Sequence, residues 1–343
     1  MTMIENKCPN CSGELIYDPI SRELKCVQCS SIIDIPEQDA LLPKKPYSQH
    51  STIETSSIQY TQYKCSTCGK RHIAPISKDV LYCPSCGAAT LDKAMGVEYV
   101  PDGIIPFMIN KEQALLCFKD WLKRRKFAPN NLKKKAKSQT LQGIYSPLYN
   151  FDADTFTQYS GVGVTEHTDS EGRTRTSRHP FSGSRAIRYD DFAESANSMV
   201  PSSVLRDIAN YDFKKIYVYR TEFLYGWIAS EVEVNLHDGC TRARNNMASD
   251  IRDRIKKSLH YDRIENFVCN TTFSNLMYKY LYVPVWINTY KYKEKIYNCY
   301  INGVTGKVSG KAPKSFWKIF FTVVGILAAV AGIFFFAYYT NSF

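Results

Sequence analysis

The chain has 343 residues, 44% of them hydrophobic and 13% aromatic, enough for two or three domains with a real core in the central part. Its formal charge of +11 is uneven: residues 1–98 carry 10 Lys/Arg against 11 Asp/Glu, and residues 99–310 carry 31 against 22. A basic surface draws anionic lipid and nucleic acid alike and does not choose between them, but the cysteine spacing and the polar start argue against a disulfide-stapled secreted domain.

Two cysteine quartets open the chain. Cys8-Pro9-Asn10-Cys11 precedes Cys26-Val27-Gln28-Cys29, and Cys65-Ser66-Thr67-Cys68 precedes Cys83-Pro84-Ser85-Cys86, with 14 residues between the pairs in both quartets. Zinc takes four tetrahedral ligands, and a Cys-x-x-Cys turn aims two thiolates at one ion. Each quartet therefore reads as a zinc ribbon on a short three-stranded sheet. Two Zn²⁺ ions are expected, one on Cys8, Cys11, Cys26 and Cys29, the other on Cys65, Cys68, Cys83 and Cys86. A closed Cys₄ shell leaves no position for water or substrate, so these sites point to structure rather than catalysis. Few aromatic or basic residues decorate the ribbons, which favours protein contact over nucleic acid. His72 is expected at the surface, because four thiolates already complete the shell. Cys117, Cys240, Cys269 and Cys299 read as buried free thiols. The stretch 36–57, rich in Pro, Ser and Gln, reads as a flexible linker.

The central region begins with a helix capped by Asn110, with Gln113 placed to reach back. Leu115, Phe118 and Leu122 share one face, and Pro129 ends it. A lysine-rich stretch at 133–137 follows, either a solvated face or a patch for lipid or a partner. Two aromatic strands then carry the same Tyr-x-Pro step, Tyr145-Ser146-Pro147 and Tyr282-Val283-Pro284. Each is preceded by a helix and followed by a tyrosine-rich strand and a glycine turn, at Gly161 and at Gly303. The second helix is expected over about 241–259, with Met247, Ile251 and Ile255 on one face and Asp238 as its N-cap. A duplicated helix-plus-antiparallel-sheet unit, hence an α+β domain, is expected. The polar stretch 165–180 reads as a long exposed hairpin end.

The last segment, 316–339, is apolar apart from Lys318 in its first turn. Its 24 residues span roughly 36 Å at about 1.5 Å each, enough for a hydrocarbon core of about 30 Å. Lys311, Lys314 and Lys318 flank its start, which places the large N-terminal part in the cytoplasm and the C-terminus outside, as a single-pass protein of the cell membrane. The division is ribbon 1 over 1–35, linker 36–59, ribbon 2 over 60–98, α+β domain 99–310, and basic flank with anchor 311–343. No nucleotide-binding loop is present: the lysines at 307 and 311 stand at the wrong spacing from their glycines. Glu166, His167, Asp169, His237 and Asp238 form no nucleophile–base set, so a non-enzyme is expected.

Three blocks resemble a known bacterial family of zinc-ribbon proteins with a C-terminal transmembrane helix. They are GIYSPLYNFDAD at 143–154, EFLYGW at 222–227, and VPVWINTYKYKEKIYNCYINGVTGKVSGKAPKSFWK at 283–318. Where the family carries Leu-Pro-Val-Trp this chain has Val283-Pro284-Val285-Trp286, and where it carries Pro-Phe-Trp this chain has Pro147-Leu148-Tyr149. The resemblance implies a membrane platform in a membrane-stress response. Its implied partners are an SPFH-like double-zinc-ribbon protein and a phage-shock-protein-A-like filament protein, with a second membrane subunit and self-association left open. The rival reading is a membrane-tethered nucleic-acid binder resting on the basic central domain. A third, compatible with the first, is a lipid-surface contact through 133–137.

Overall fold

A computed structural model of the chain describes residues 6–35, 42–53, 55–74, 82–89, 91–130, 141–168, 172–209, 211–213, 216–292 and 295–341. The first ribbon is a small antiparallel sheet of β1 (Leu15–Asp18), β2 (Glu23–Cys26) and β3 (Ile32–Ile33). Then come β4 (Lys45–Pro46), β5 (Thr55–Cys65), β6 (Arg71–Ala74), β7 (Leu91–Tyr99), β8 (Gly103–Ile104), α1 (Lys111–Arg124), β9 (Leu141–Thr168) and β10 (Thr174–Ser195). After these follow α2 (Ser202–Ile208), β11 (Tyr217–Val218), a 3₁₀ turn (Thr221–Leu224), β12 (Ile228–Ser230) and α3 (Leu236–Ser258). The chain closes with β13 (Arg263–Tyr292), β14 (Lys295–Asn302), β15 (Val308–Gly310) and α4 (Phe316–Asn341).

All strands after β3 join one sheet, in the order β11-β8-β13-β9-β12-β6-β5-β7. Off that path, β10 pairs with β9, β4 and β14 with β13, and β15 with β14. The spine is the antiparallel pair β9 and β13, in which Tyr145 faces Pro284, Pro147 faces Tyr282 and Tyr149 faces Tyr280. The two Tyr-x-Pro steps therefore cross each other. Proline inside a sheet lacks a ladder donor, and both prolines stand where the next strand outward stops. The last pair of β10 is Ser195 with Leu148, and the Ala196 N–H then donates to the Pro147 carbonyl at 3.1 Å. The last pair of β14 is Asn302 with Val285, and the Gly303 N–H donates to the Pro284 carbonyl at 2.9 Å. The order helix, long strand, antiparallel strand occurs twice, as α1-β9-β10 and α3-β13-β14.

Helix starts follow their caps. The Asn110 side chain accepts from the Gln113 N–H while Gln113 Oε1 accepts from the Asn110 N–H, both at 2.9 Å. α1 ends at Arg124, five residues before Pro129, and buries Ala114, Phe118, Trp121 and Leu122. α3 starts earlier than its hydrophobic pattern suggests: Asn235 is the N-cap, and Asp238 sits inside the first turn. Met247, Ile251 and Ile255 are fully buried against the sheet.

Several expectations change. Gly161 is not at a turn but inside β9, beneath the Phe181 ring, because β9 runs on to Thr168 and β10 resumes at Thr174. The hairpin end thus extends the sheet rather than ending it. Of the stretch read as a linker, 42–53 lies on the body. Lys45–Pro46 pairs with Met277 and Tyr278, and Lys44 reaches Asp152, Asn150 and Asp191, the last at 2.7 Å. The lysine-rich stretch 133–137 lies outside the described residues.

Candidate metal centres and their attachment

The four Cys-x-x-Cys segments share one backbone design. In each, the first cysteine N–H donates to the carbonyl five residues on: Cys8 to Gly13, Cys26 to Ser31, Cys65 to Lys70 and Cys83 to Ala88. The residue four positions on donates back to the first cysteine's carbonyl, at 2.7 to 3.1 Å. That residue is left-handed in all four turns: Ser12 (φ 58), Ser30 (φ 61), Gly69 (φ 72) and Gly87 (φ 75). Glycine adopts this conformation freely and serine does not.

These turns bring four sulfurs together twice. In each quartet the sulfurs lie within 4.8 Å of one another. Cys8 and Cys29 approach to 3.6 Å and Cys11 and Cys26 to 3.4 Å; Cys65–Cys86 and Cys68–Cys83 are both 3.6 Å. Tetrahedral zinc with bonds of about 2.3 Å needs sulfurs about 3.8 Å apart. The donor set and its spacing are thus compatible with zinc, and all eight cysteines expected as ligands sit in these clusters. The first cysteine of every pair is buried and the second is more open. Thiol acidity is uneven within the quartets: burial raises Cys83 and Cys86, whereas two other cysteines are lowered. The Ser31 hydroxyl, with its backbone N–H, brings the Cys29 thiol down to about 6. Burial pushes Cys65 up, but the N–H groups of Cys68 and Thr67 outweigh it and bring it to about 7.

His72 is not at the surface. It is fully buried in the second ribbon, with Nε2 3.4 Å from the Cys83 sulfur. Burial lowers its pKa to about 4, so the ring is neutral near pH 7. With the ring proton on Nε2 it would donate to the sulfur, and contacts of this kind beside a metal ligand tune its affinity. A histidine next to a cysteine quartet was visible in the sequence; its burial was not, because that comes from β12. Ser230 on β12 pairs directly with His72, and Ala229 with Ile73.

The ribbons attach differently. Ribbon 2 is part of the main sheet through β12, which also runs parallel to β9 at Ile144 and Tyr145. Charged pairs reinforce this: Arg71 with Glu231 at 3.4 Å and Lys70 with Glu233 at 3.6 Å. Burial raises the Glu231 carboxyl above its usual range. Burial also acts to raise Glu233, but the Ser198 hydroxyl and N–H and the Lys70 ammonium outweigh it and lower that carboxyl. Ribbon 1 is docked mainly through Tyr17. The Tyr17 hydroxyl donates to the Phe107 carbonyl at 3.2 Å, its N–H donates to Tyr225, and its carbonyl accepts from the Trp227 indole at 3.0 Å. Its ring lies edge-on to Phe223 at 5.4 Å. Phe107 in turn stacks on Trp227 at 4.0 Å and meets Trp286 edge-on at 5.3 Å. The block at 222–227 is therefore the seat of the first ribbon.

Among the described residues, His237, Glu166 and Asp238 each have separate partners. His237 pairs with the Tyr47 hydroxyl at 2.9 Å, Glu166 is bound through its N–H to Asp262, and Asp169 lies outside the described residues. All four remaining cysteines are free; Cys240 and Cys299 are buried, while Cys117 and Cys269 are only partly covered.

The C-terminal helix is long and apolar enough to cross a membrane over Phe316–Phe336, and none of that stretch is buried. Its first turn is fixed to the body. The Ser315 N–H donates to the Phe127 carbonyl at 2.8 Å. The Lys318 ammonium donates to the Ala128 carbonyl and to Asn130 Oδ1, both at 2.8 Å, and to the Lys126 carbonyl at 3.4 Å. The single charge of the span thus binds the carbonyls left open beyond the end of α1.

No protein-family model matches this chain, and no solved structure does. It is similar to a protein of Bacillus subtilis (strain 168), the uncharacterized protein YdjG. The two are 26% identical over 321 residues, which cover 92% of each chain.

Proposed function

We propose that this chain is a non-catalytic, membrane-anchored zinc-binding adaptor. It would recruit cytosolic partners, an SPFH-like protein and a phage-shock-protein-A-like protein, to the inner face of the cell membrane during membrane stress. The observation that carries the reading is the joint at Lys318, which fixes an exposed apolar helix to a body bearing two closed cysteine clusters. The three lysines at the body's end of the helix favour a cytoplasmic body. The partner identities rest on the family resemblance of 143–154, 222–227 and 283–318. Zinc would hold each ribbon folded, and the ribbons would offer protein-contact surfaces. Ending the chain at residue 315 should leave partner binding intact and abolish partner recruitment to membranes. If the shortened protein still concentrated its partners there, the adaptor reading would fail.

The basic central region favours one other reading, a tethered nucleic-acid binder. Phosphate contacts make affinity fall steeply with salt. A pull-down of the full chain from native cells, with and without nuclease, separates the two. Protein partners that survive nuclease support the adaptor, and recovery that collapses supports nucleic acid.

A further inference from the structure

Away from the body, β9, β10 and β13 continue as a three-stranded antiparallel blade, with β9 in the middle. One face is covered by α3, where Arg252 and Lys256 lie over the Phe267 ring and Arg244 over Phe273. The other face is open and carries Phe156, Gln158, Val268 and Asn270. Such a blade has two outer edges, and exposed edges invite pairing unless charge, proline or bulges blunt them.

The two edges are treated oppositely. The β10 edge carries Arg175, Arg178, Arg185 and Arg188, and Pro180 as well, the usual protection against another strand. The β13 edge has no charge and no proline from 266 to 278. Among the described residues no strand pairs with its outer side before Met277, where β4 begins. Bulges between Glu265 and Val268 and between Ser274 and Met277 bracket the open stretch, with Asn266 and Asn275 left-handed at φ 50. One carbonyl near its start, that of Phe267, accepts from Arg252 at 3.3 Å.

The open stretch can also face a second copy of itself. Residues 267–273 read Phe-Val-Cys-Asn-Thr-Thr-Phe, with a phenylalanine at each end, Asn270 at the centre and small or β-branched residues between. In antiparallel pairing centred there, Phe267 faces the second copy's Phe273 and Val268 faces its Thr272. Asn270 faces its own counterpart. Aromatic and β-branched pairs of this kind are the ones that stabilise a sheet. A twofold axis normal to the sheet keeps the open faces of both blades on one side, and both helices α3 on the other. We propose that two copies of this chain pair edge to edge through 267–273 of β13, forming one continuous sheet across the dimer. Self-pairing needs no other protein, so it stands or falls separately from the adaptor role.

The test uses two differently tagged full-length copies, co-expressed and captured from solubilised membranes. Asn270 is exposed, so Asn270→Lys should leave the fold intact, checked by an unchanged circular dichroism spectrum and melting temperature. It sets like charges directly opposite each other, and capture should fall about fivefold or more, equivalent to about 1 kcal/mol. Pairing an Asn270→Lys copy with an Asn270→Asp copy should restore it. Separately, Asn270→Cys in a Cys269→Ser background should crosslink on mild oxidation, because facing Cβ atoms about 5 Å apart lie close to disulfide reach. Ser184→Cys on the β10 side of the blade should not. Absence of wild-type co-capture, capture indifferent to Asn270→Lys, failure of the Lys/Asp pair to recover, or crosslinking through residue 184 instead would each overturn the proposal.

Discussion

Ribbon 1 uses serine where ribbon 2 uses glycine, and this difference should be measurable as zinc retention. Ser12 and Ser30 stand at φ 58 and 61, where an L-residue is strained by roughly 1–2 kcal/mol. Glycine's greater freedom in the unfolded chain offsets about 0.5–1 kcal/mol of the relief. The net gain for Ser12→Gly with Ser30→Gly is therefore about 1–2 kcal/mol. Metal binding is coupled to ribbon folding, so zinc at ribbon 1 should be held about 5–30 times more tightly. The reciprocal pair, Gly69→Ser with Gly87→Ser, should loosen ribbon 2 by a similar factor. An added Cβ meets nothing within 4 Å at either glycine, so that effect is purely conformational. Chelator competition on the zinc-loaded full chain, followed ion by ion, reads both. If the double glycine variant holds zinc no better than the parent, the strain argument is wrong.

Four other outcomes are expected. His72→Ala removes the donor to Cys83 and should weaken zinc retention at ribbon 2 by about 10–100-fold; unchanged release kinetics would refute the contact. Tyr17→Phe loses one hydrogen bond, about 1 kcal/mol, whereas Tyr17→Ala should lose about 3–5 kcal/mol and speed tryptic removal of ribbon 1; equal cleavage in both would reject the docking role. Glu233 is lowered below 4.5 in the folded state, so its stabilisation holds above that pH and is lost as pH falls through the folded value, while Glu231 is raised and behaves oppositely. Glu233→Gln should therefore lower the melting temperature at pH 7, and Glu231→Gln should not; matching shifts would contradict the assignment. Lys318→Met keeps the helix apolar but frees it from the end of α1, and trypsin should then cut faster at 124–126; a protected site would mean that the joint does not depend on the lysine.

Much of this architecture is legible in the sequence. The eight metal-ligand candidates follow from spacing alone, because a Cys-x-x-Cys turn has one way to present two thiolates. The Asn110 cap and the Met247, Ile251, Ile255 face follow from local rules. Long-range pairing was the part that could not be read. The burial of His72 depends on Ser230, more than 150 residues away, and a polar tract gives no sign that its backbone will pair with β13. The start of α3 is hidden in the sequence because Leu236 and Cys240 bury a turn whose other residues are polar or glycine. The length of β9 is hidden because glycine usually marks a turn, whereas Gly161 makes room for the Phe181 ring inside the strand.

The unequal attachment of the two ribbons sets which parts of the molecule melt together. Ribbon 2 is continuous with the body through the β6–β12–β9 ladder, so its metal and the central sheet form one cooperative unit. Extracting that ion should broaden and lower the melting of the whole body. Ribbon 1 shares no strand with the main sheet and packs on the body through Tyr17, Ile16 against Gly226 and a few hydrogen bonds, so it is expected to let go as a separate unit. Calorimetry with rising chelator should then show an early, small transition that leaves the body's unfolding enthalpy almost intact, followed by a large one. A single merged transition at all chelator levels would show that the two ribbons are thermodynamically one.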